Sequence, residues 1–246
     1  MLTSIRGLVA ASLLAGCGLA TAPAFAQEET TGDLEITGNA SIVSEYRFRG
    51  VDLSGGDIAI QGGIDVAHSS GFYVGTWGSS LDEDTVGYGH TELDVYGGWS
   101  GEIASGVTAD VGAIYYIYPN GAGNLDYIEV YGSAAFTLGP AEAKVGVAYA
   151  PDQSSLGSSD NLYLYSDLSI GIPNTPVTIN GHVGYTDGFL TYTPNGKAWD
   201  WSIGADFALT DKLTVGAAYV DAEGDFAPGD YKFTDSAVVG TLSVSF

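Results

Sequence analysis

The chain has 246 residues, with 7 Lys and Arg against 30 Asp and Glu and a formal charge of −23. That excess of acid excludes nucleic acid as a partner on electrostatic grounds, and 45% hydrophobic with 12% aromatic residues excludes a disordered chain. Glycine (36) and tyrosine (16) are abundant, and a single cysteine leaves no intramolecular disulfide to hold an exported domain together.

Arg6 is the only charged residue before Glu28, and the apolar run "GLVAASLLAGCGLATA" is followed by "PAFA". This reads as a secretory signal over 1–26, with an A-x-A cleavage site at Ala24-Phe25-Ala26 and a single domain over 27–246. "LAGC" at 14–17 also has lipobox form, which makes Cys17 an alternative lipoprotein site. Past the signal no apolar run approaches the ~20 residues of a spanning helix. Two classes survive: a secreted all-β sandwich or solenoid, and an outer-membrane barrel.

The first predicted strand runs over 34–49. Leu34, Ile36, Ala40, Ile42, Tyr46 and Phe48 share one parity, and Glu35, Thr37, Asn39, Glu45, Arg47 and Arg49 share the other. Residues two apart on a strand lie on one face. The arginines are therefore expected to point inward from the end of this strand, with Tyr46 and Phe48 turned to lipid. Ile58 to Val66 alternate next, and 72–80, "FYVGTWGSS", is strand-like without a clear facing. Alternation then recurs around Leu93–Trp99, Val107–Ile117, Ile128–Phe136, Ala141–Tyr149, Leu162–Ile172, Val177–Tyr185, Trp199–Leu209, Leu213–Tyr219 and Val238–Phe246. The expected fold is all-β, an antiparallel up-and-down transmembrane barrel of about twelve strands, within a range of 10–14.

The connections differ by parity. Those after odd strands are mostly longer and acidic, such as "LDEDTVGYG" and "DAEGDFAPGDYKFTDS"; those after even strands are short, such as "SSG", "GP" and "TDK". Short inner turns and longer outer loops are the habit of bacterial barrels, whereas a sandwich has no reason to shorten every second loop. Lipid offers no backbone partners, so such a sheet must close. Aromatic residues near strand ends (Trp99, Tyr149, Tyr185, Trp199, Tyr219) are expected at the membrane interfaces. The terminal "TLSVSF" puts Phe246 where outer-membrane barrels carry their assembly signal.

The stretch 36–79 carries "SEYRFRGV", "AIQGGID" and "GFYVGTWGS", followed by "ELDVYGGWSG", "VGAIYYIYP" and "YIEVYG". In these motifs the chain resembles the TorF family of porins. The resemblance implies a proteobacterial outer-membrane barrel and passive transport, with no established substrate and no catalytic residues.

The inward parity supplies the candidate pore-lining residues Glu45, Arg47, Arg49, Asp65, Glu92, Asp94, Asp110, Glu129, Lys144, Asp167, His182 and Asp206. Their acidic balance predicts a narrow, weakly cation-preferring pore for small hydrophilic solutes. The arginines are expected either to shape a transverse field or to neutralise Glu45 and acidic neighbours such as Asp65 and Glu92. A side-chain-filled, non-conducting barrel for structural or surface-interaction roles is the alternative, and no connection is long enough for a large plug domain. Partners expected from this reading are outer-membrane lipid, lipopolysaccharide, the barrel assembly machinery and the solutes; oligomeric state is open. No enzyme activity and no cofactor are expected. His68, His90 and His182 are isolated; His182 with Ser166 or Ser202 is the nearest approach to a catalytic pair. The acidic loops have oxygen ligands for Ca²⁺ or Mg²⁺ but lack EF-hand order, and the Gly-rich segments lack the Lys-Ser/Thr of a phosphate loop.

Overall fold

The structure is a computed structural model and describes residues 32–224 and 231–246. The signal and lipobox readings of 1–26, Cys17 included, lie outside the described residues. The elements in chain order are β1 (Leu34–Val43), β2 (Arg47–Phe48), β3 (Val51–Asp52), β4 (Ala59–His68), β5 (Phe72–Ser80), the one-turn α1 (Glu83–Val86), β6 (Thr91–Ala104), β7 (Val107–Ile117), β8 (Tyr127–Leu138), β9 (Ala141–Gln153), β10 (Ser159–Gly171), β11 (Val177–Gly188), β12 (Lys197–Ala208), β13 (Leu213–Ala222) and β14 (Ala237–Ser245).

Twelve of these strands form a closed antiparallel barrel. Each pairs with its sequence neighbours, and β1 pairs with both β4 and β14. The closing seam runs from Asn39↔Ser245 to Val43↔Thr241. It is extended by two bonds between Gly38 and Phe246, Gly38 N–H to Phe246 O at 2.7 Å and Phe246 N–H to Gly38 O at 2.9 Å. A Cβ on Gly38 would collide with the Phe246 ring, so this glycine is the seat of the C-terminal side chain. The strands β2 and β3 are a small hairpin outside the barrel sheet.

Alternation sorts the side chains as a period of two requires. Ile36, Ile60, Val74, Val95, Val130, Leu164, Ile203 and Val238 are exposed on the outer face. Asp94, Asp110, Glu129, Tyr163, Asp200 and Asp206 are buried within. A closed sheet that is apolar outside and polar inside is inverted relative to a protein in water and matched to a hydrocarbon surround. Tyr149, Trp199 and Tyr219 are exposed near the strand ends that carry the longer loops. Tyr185 packs on Trp199 with ring centroids 4.9 Å apart, and Trp201 on Tyr219 at 5.3 Å. At the opposite end Trp99 donates its indole N–H to the Ser70 carbonyl at 3.0 Å. The segment whose facing the sequence left open divides cleanly: Phe72 and Val74 are outside, Trp77 and Ser79 inside.

The first strand departs from expectation. It ends at Val43 rather than continuing to Arg49. Residues 44–58 then turn into the mouth of the barrel, so Tyr46 is 4% exposed and faces the interior, not lipid. The alternation continued past the end of the strand because a loop packed inside a barrel also needs apolar and polar groups to satisfy. Tyr46 and Phe48 found their apolar contacts on Trp77 and Tyr116, inside the barrel.

Candidate functional site

The interior has two tiers. The upper tier, at the loop end, is occupied by the first loop. Backbone bonds hold it in a compact turn: Leu53 N–H to Tyr46 O at 2.8 Å, and Asp57 N–H to Ser54 O at 3.1 Å. It is also tied to two neighbouring loops, through Asp52 N–H to Phe233 O at 2.8 Å and Asp82 N–H to Leu53 O at 3.1 Å. The Tyr231 hydroxyl reinforces the first tie by bonding Asp52. Arg47 pairs with Glu45, and its guanidinium also donates to the carbonyls of Gly50 at 3.0 Å and Phe233 at 3.2 Å. The Tyr46 ring meets Trp77 edge-on at 5.6 Å, and its hydroxyl donates to Glu92 Oε1 at 3.2 Å.

Arg49 carries the loop across the barrel. Its nitrogens Nη1 and Nη2 donate to Glu129 Oε1 and Oε2 at 3.0 and 2.6 Å. Its Cζ lies 4.2 Å from the centroid of Tyr163 and 4.7 Å from that of Phe48. Glu129 is on β8 and Tyr163 on β10, which flank β9, the strand half-way round the ring from β1. The loop therefore starts at one wall and is fastened to the opposite one. Between the loop and the wall made by β12, β13, β14, β1 and β4 lies a cavity of about 30 Å³, bordered by Glu45, Arg47, Gln61, Val220 and Val239. At roughly 10–15 Å³ per water, that is room for a few waters and not for a solute.

Burial raises the carboxyl of Glu45 above its usual range; nearby Asp52 acts in the same sense, and Arg47 opposes both. Asp94 is 1% exposed, and neither of its carboxylate oxygens has a hydrogen-bond partner among the described residues.

In the lower tier tyrosine rings lie against the wall. Inward-facing glycines of adjacent strands make room for them: a Cβ at Gly75, Gly98, Gly112, Gly146 or Gly184 would collide with Tyr96, Tyr73, Tyr131, Tyr165 or Tyr163 respectively. This joint explains the joint abundance of glycine and tyrosine. The hydroxyls end on carboxylates, Tyr96 on Asp65 at 2.6 Å and Tyr73 on Asp110 at 2.7 Å, with Tyr73 also 2.6 Å from the Tyr131 hydroxyl. Lys144 Nζ stands 5.8 Å from the Tyr165 centroid. His182 is clamped between Asp167 at 2.5 Å and Asp200 at 3.0 Å, and touches the Tyr163 hydroxyl at 2.8 Å. Asn180 donates to Asp206 at 2.7 Å.

The twelve residues picked out by parity thus all lie on the inner side. The arginines' partners differ from expectation: Arg49 binds Glu129, not Glu92 or Asp65, because the inward turn of the loop delivers it to the far wall. Sequence parity puts Asp200 on the polar face of β12 with Asp206, although it is not among the pore-lining candidates, and parity could not assign Tyr116, Tyr127 and Tyr163 to the wall around Arg49. His182 meets carboxylates rather than Ser166 or Ser202. Among the described residues no three His, Cys, Asp or Glu side chains are grouped to hold a metal ion.

A closed barrel with short turns at one end, longer loops at the other and one loop folded inward is the architecture of porin-type barrels. Solved structures agree at the level of the fold. The NanC porin superposes with a TM-score of 0.58 at 11% identity, covering 86% of this chain and 98% of that one. The KdgM porin, solved in complex with disordered oligogalacturonate, superposes with a TM-score of 0.53 at 8% identity, covering 86% and 97%. No curated protein matches the sequence. Residues 27–246 match the family model described as a bacterial protein of unknown function (Gcw_chp), and the chain belongs to that family.

Proposed function

We propose that the protein is an outer-membrane channel of a Gram-negative bacterium that passes small hydrophilic solutes with a weak preference for cations. The observation that carries this reading is the charge of the inner wall. Asp65, Glu92, Asp94, Asp110, Glu129, Asp167, Asp200 and Asp206 project inward from the strands, and Lys144 and His182 are the basic side chains set among them. A low-dielectric wall with that balance concentrates cations and repels anions. The resemblance to TorF porins points the same way. KdgM was solved with a polyanionic oligogalacturonate; the acidic wall of this barrel makes neutral or cationic solutes the better match.

The membrane partners follow from the outer face. Its apolar band is set for outer-membrane lipid, the acidic loops for cation-bridged lipopolysaccharide, and Phe246 for the barrel assembly machinery. Reversal potentials of the refolded protein in a planar bilayer, measured across a salt gradient, test the channel. A modest cation preference is expected, and a strong anion preference would overturn it.

One observation favours a second reading. The first loop folds into the upper tier and is fastened to the far wall through Arg49 and Glu129, as a non-conducting structural or surface-interaction barrel would require. Absence of conductance from a folded variant with residues 45–57 replaced by a short Gly-Ser turn would decide for that alternative.

A further inference from the structure

Arg49 sits in surroundings shaped for a guanidinium. The two parallel bonds to Glu129, at 3.0 and 2.6 Å, use the fork that separates a guanidinium from an ammonium. The Tyr163 face, 4.2 Å from Cζ, adds a cation–π contact. The Tyr116 hydroxyl donates to Glu129 Oε2 at 3.2 Å and fixes the carboxylate. Glu129, Tyr116 and Tyr163 all belong to the barrel wall, and only Phe48 travels with the loop. If Arg49 withdrew, the wall half of the site would stay assembled.

Two further observations mark Arg49 as a replaceable occupant. Its backbone is left-handed at φ +50°, followed by Gly50 at +77°. A bulky residue takes that conformation only when its contacts hold it there. Beside the site, in register with Tyr116 on the neighbouring strand, Asp94 is buried with both carboxylate oxygens unpartnered among the described residues. The wall around Arg49 therefore keeps hydrogen-bonding capacity that Arg49 does not use.

We propose that Glu129, Tyr116 and Tyr163 form a binding site for solutes bearing a guanidinium group, and that such a solute displaces Arg49 and frees the first loop. The second step rests on the channel reading; the binding step does not.

Calorimetric titration of L-arginine into the refolded protein in detergent tests the site, with L-citrulline as the uncharged isostere. Arg49→Ala is expected to bind arginine about tenfold or more tightly than the wild type, because the internal competitor is gone. It should also prefer arginine to citrulline, and adding Glu129→Gln should abolish that preference. Heat-modifiable migration in gels establishes that each variant is folded. Should Arg49→Ala fail to fold, Arg49→Lys serves instead; it keeps the charge but lacks the fork, and should also bind arginine more tightly than the wild type. A folded Arg49 variant that binds arginine no better than citrulline overturns the proposal. Arginine binding without conductance in any variant would remove the channel reading and leave the site standing. Conductance without arginine selectivity in binding would do the reverse.

Discussion

Glu45 and Glu129 show how differently two carboxylates can serve one loop. Glu129 is 1% exposed and receives both terminal nitrogens of Arg49, so the pair is buried and geometrically complete. Removing one member of such a pair leaves an uncompensated charge, at about 3–5 kcal/mol where water cannot reach it. Glu45, in the first loop, binds its proton more tightly with the loop in place, chiefly because of burial. With the loop withdrawn it would titrate as an ordinary glutamate. The sign follows from linkage: the inserted state takes up the proton first, so insertion gains as pH falls through the raised value of the inserted state, the gain is complete below the ordinary glutamate value of about 4.3, and it is lost as pH rises again through the raised value. Closures of the channel should therefore lengthen on acidification. Single-channel recordings from neutral pH down to about 4 check this, and Glu45→Gln should flatten the dependence. A wild type whose closures shorten in acid would contradict it.

At the scale of the strand, the recurring device is a tyrosine laid over a glycine of the neighbouring strand. Both partners must face inward and stand close in the register, as Gly112 and Tyr131 do. Adding a side chain at the glycine lifts the ring off the wall and into the lumen. Gly112→Val and Gly146→Val should each lower single-channel conductance, and overpacking should cost about 1–3 kcal/mol of stability. Gly240→Ala is the control: it faces outward, and the nearest atom its Cβ would meet is 3.9 Å away. Conductance histograms with thermal melts in detergent measure both effects. Unchanged conductance in Gly112→Val would mean that the ring leaves the wall without narrowing the path. The strands themselves were legible in sequence. Periodicity two marks them, and the outward Trp199, Trp201, Ile203 and Phe207 against the inward Asp200, Ser202 and Asp206 of β12 leave one orientation to a barrel in lipid. Its end points were less so: β9 runs on to Gln153 and β10 begins at Ser159. The polar residues there read as loop because that end of the strands extends beyond the apolar band.

For the molecule as a whole, the outer surface is the feature on which everything else depends. Ile203 lies mid-strand and is 57% exposed. If hydrocarbon covers it, Ile203→Arg should cost roughly 2–4 kcal/mol of folding free energy in bilayers, against about 0–1 for a substitution near the interface such as Leu34→Arg. Urea-dependent folding into vesicles, with both variants measured side by side, gives the comparison. Equal, small effects at the two positions would speak against a membrane-spanning barrel.

The sequence alone determined the alternation, the strand count, the apolar face of the barrel strands other than β5 and the inward position of the charged residues. These are properties of period and composition, and lipid on one face with water on the other leaves little choice in how to satisfy them. It did not determine where the first strand stops or what Arg49 binds. Both depend on the far wall, about eighty positions along the chain at Glu129, and on the width of a closed ring that lets one loop reach across it. Local pattern carries no record of that distance. Only closure of the barrel brings β1 opposite β9 and turns a strand-like repeat of Tyr, Arg, Phe and Arg into a strap across the barrel.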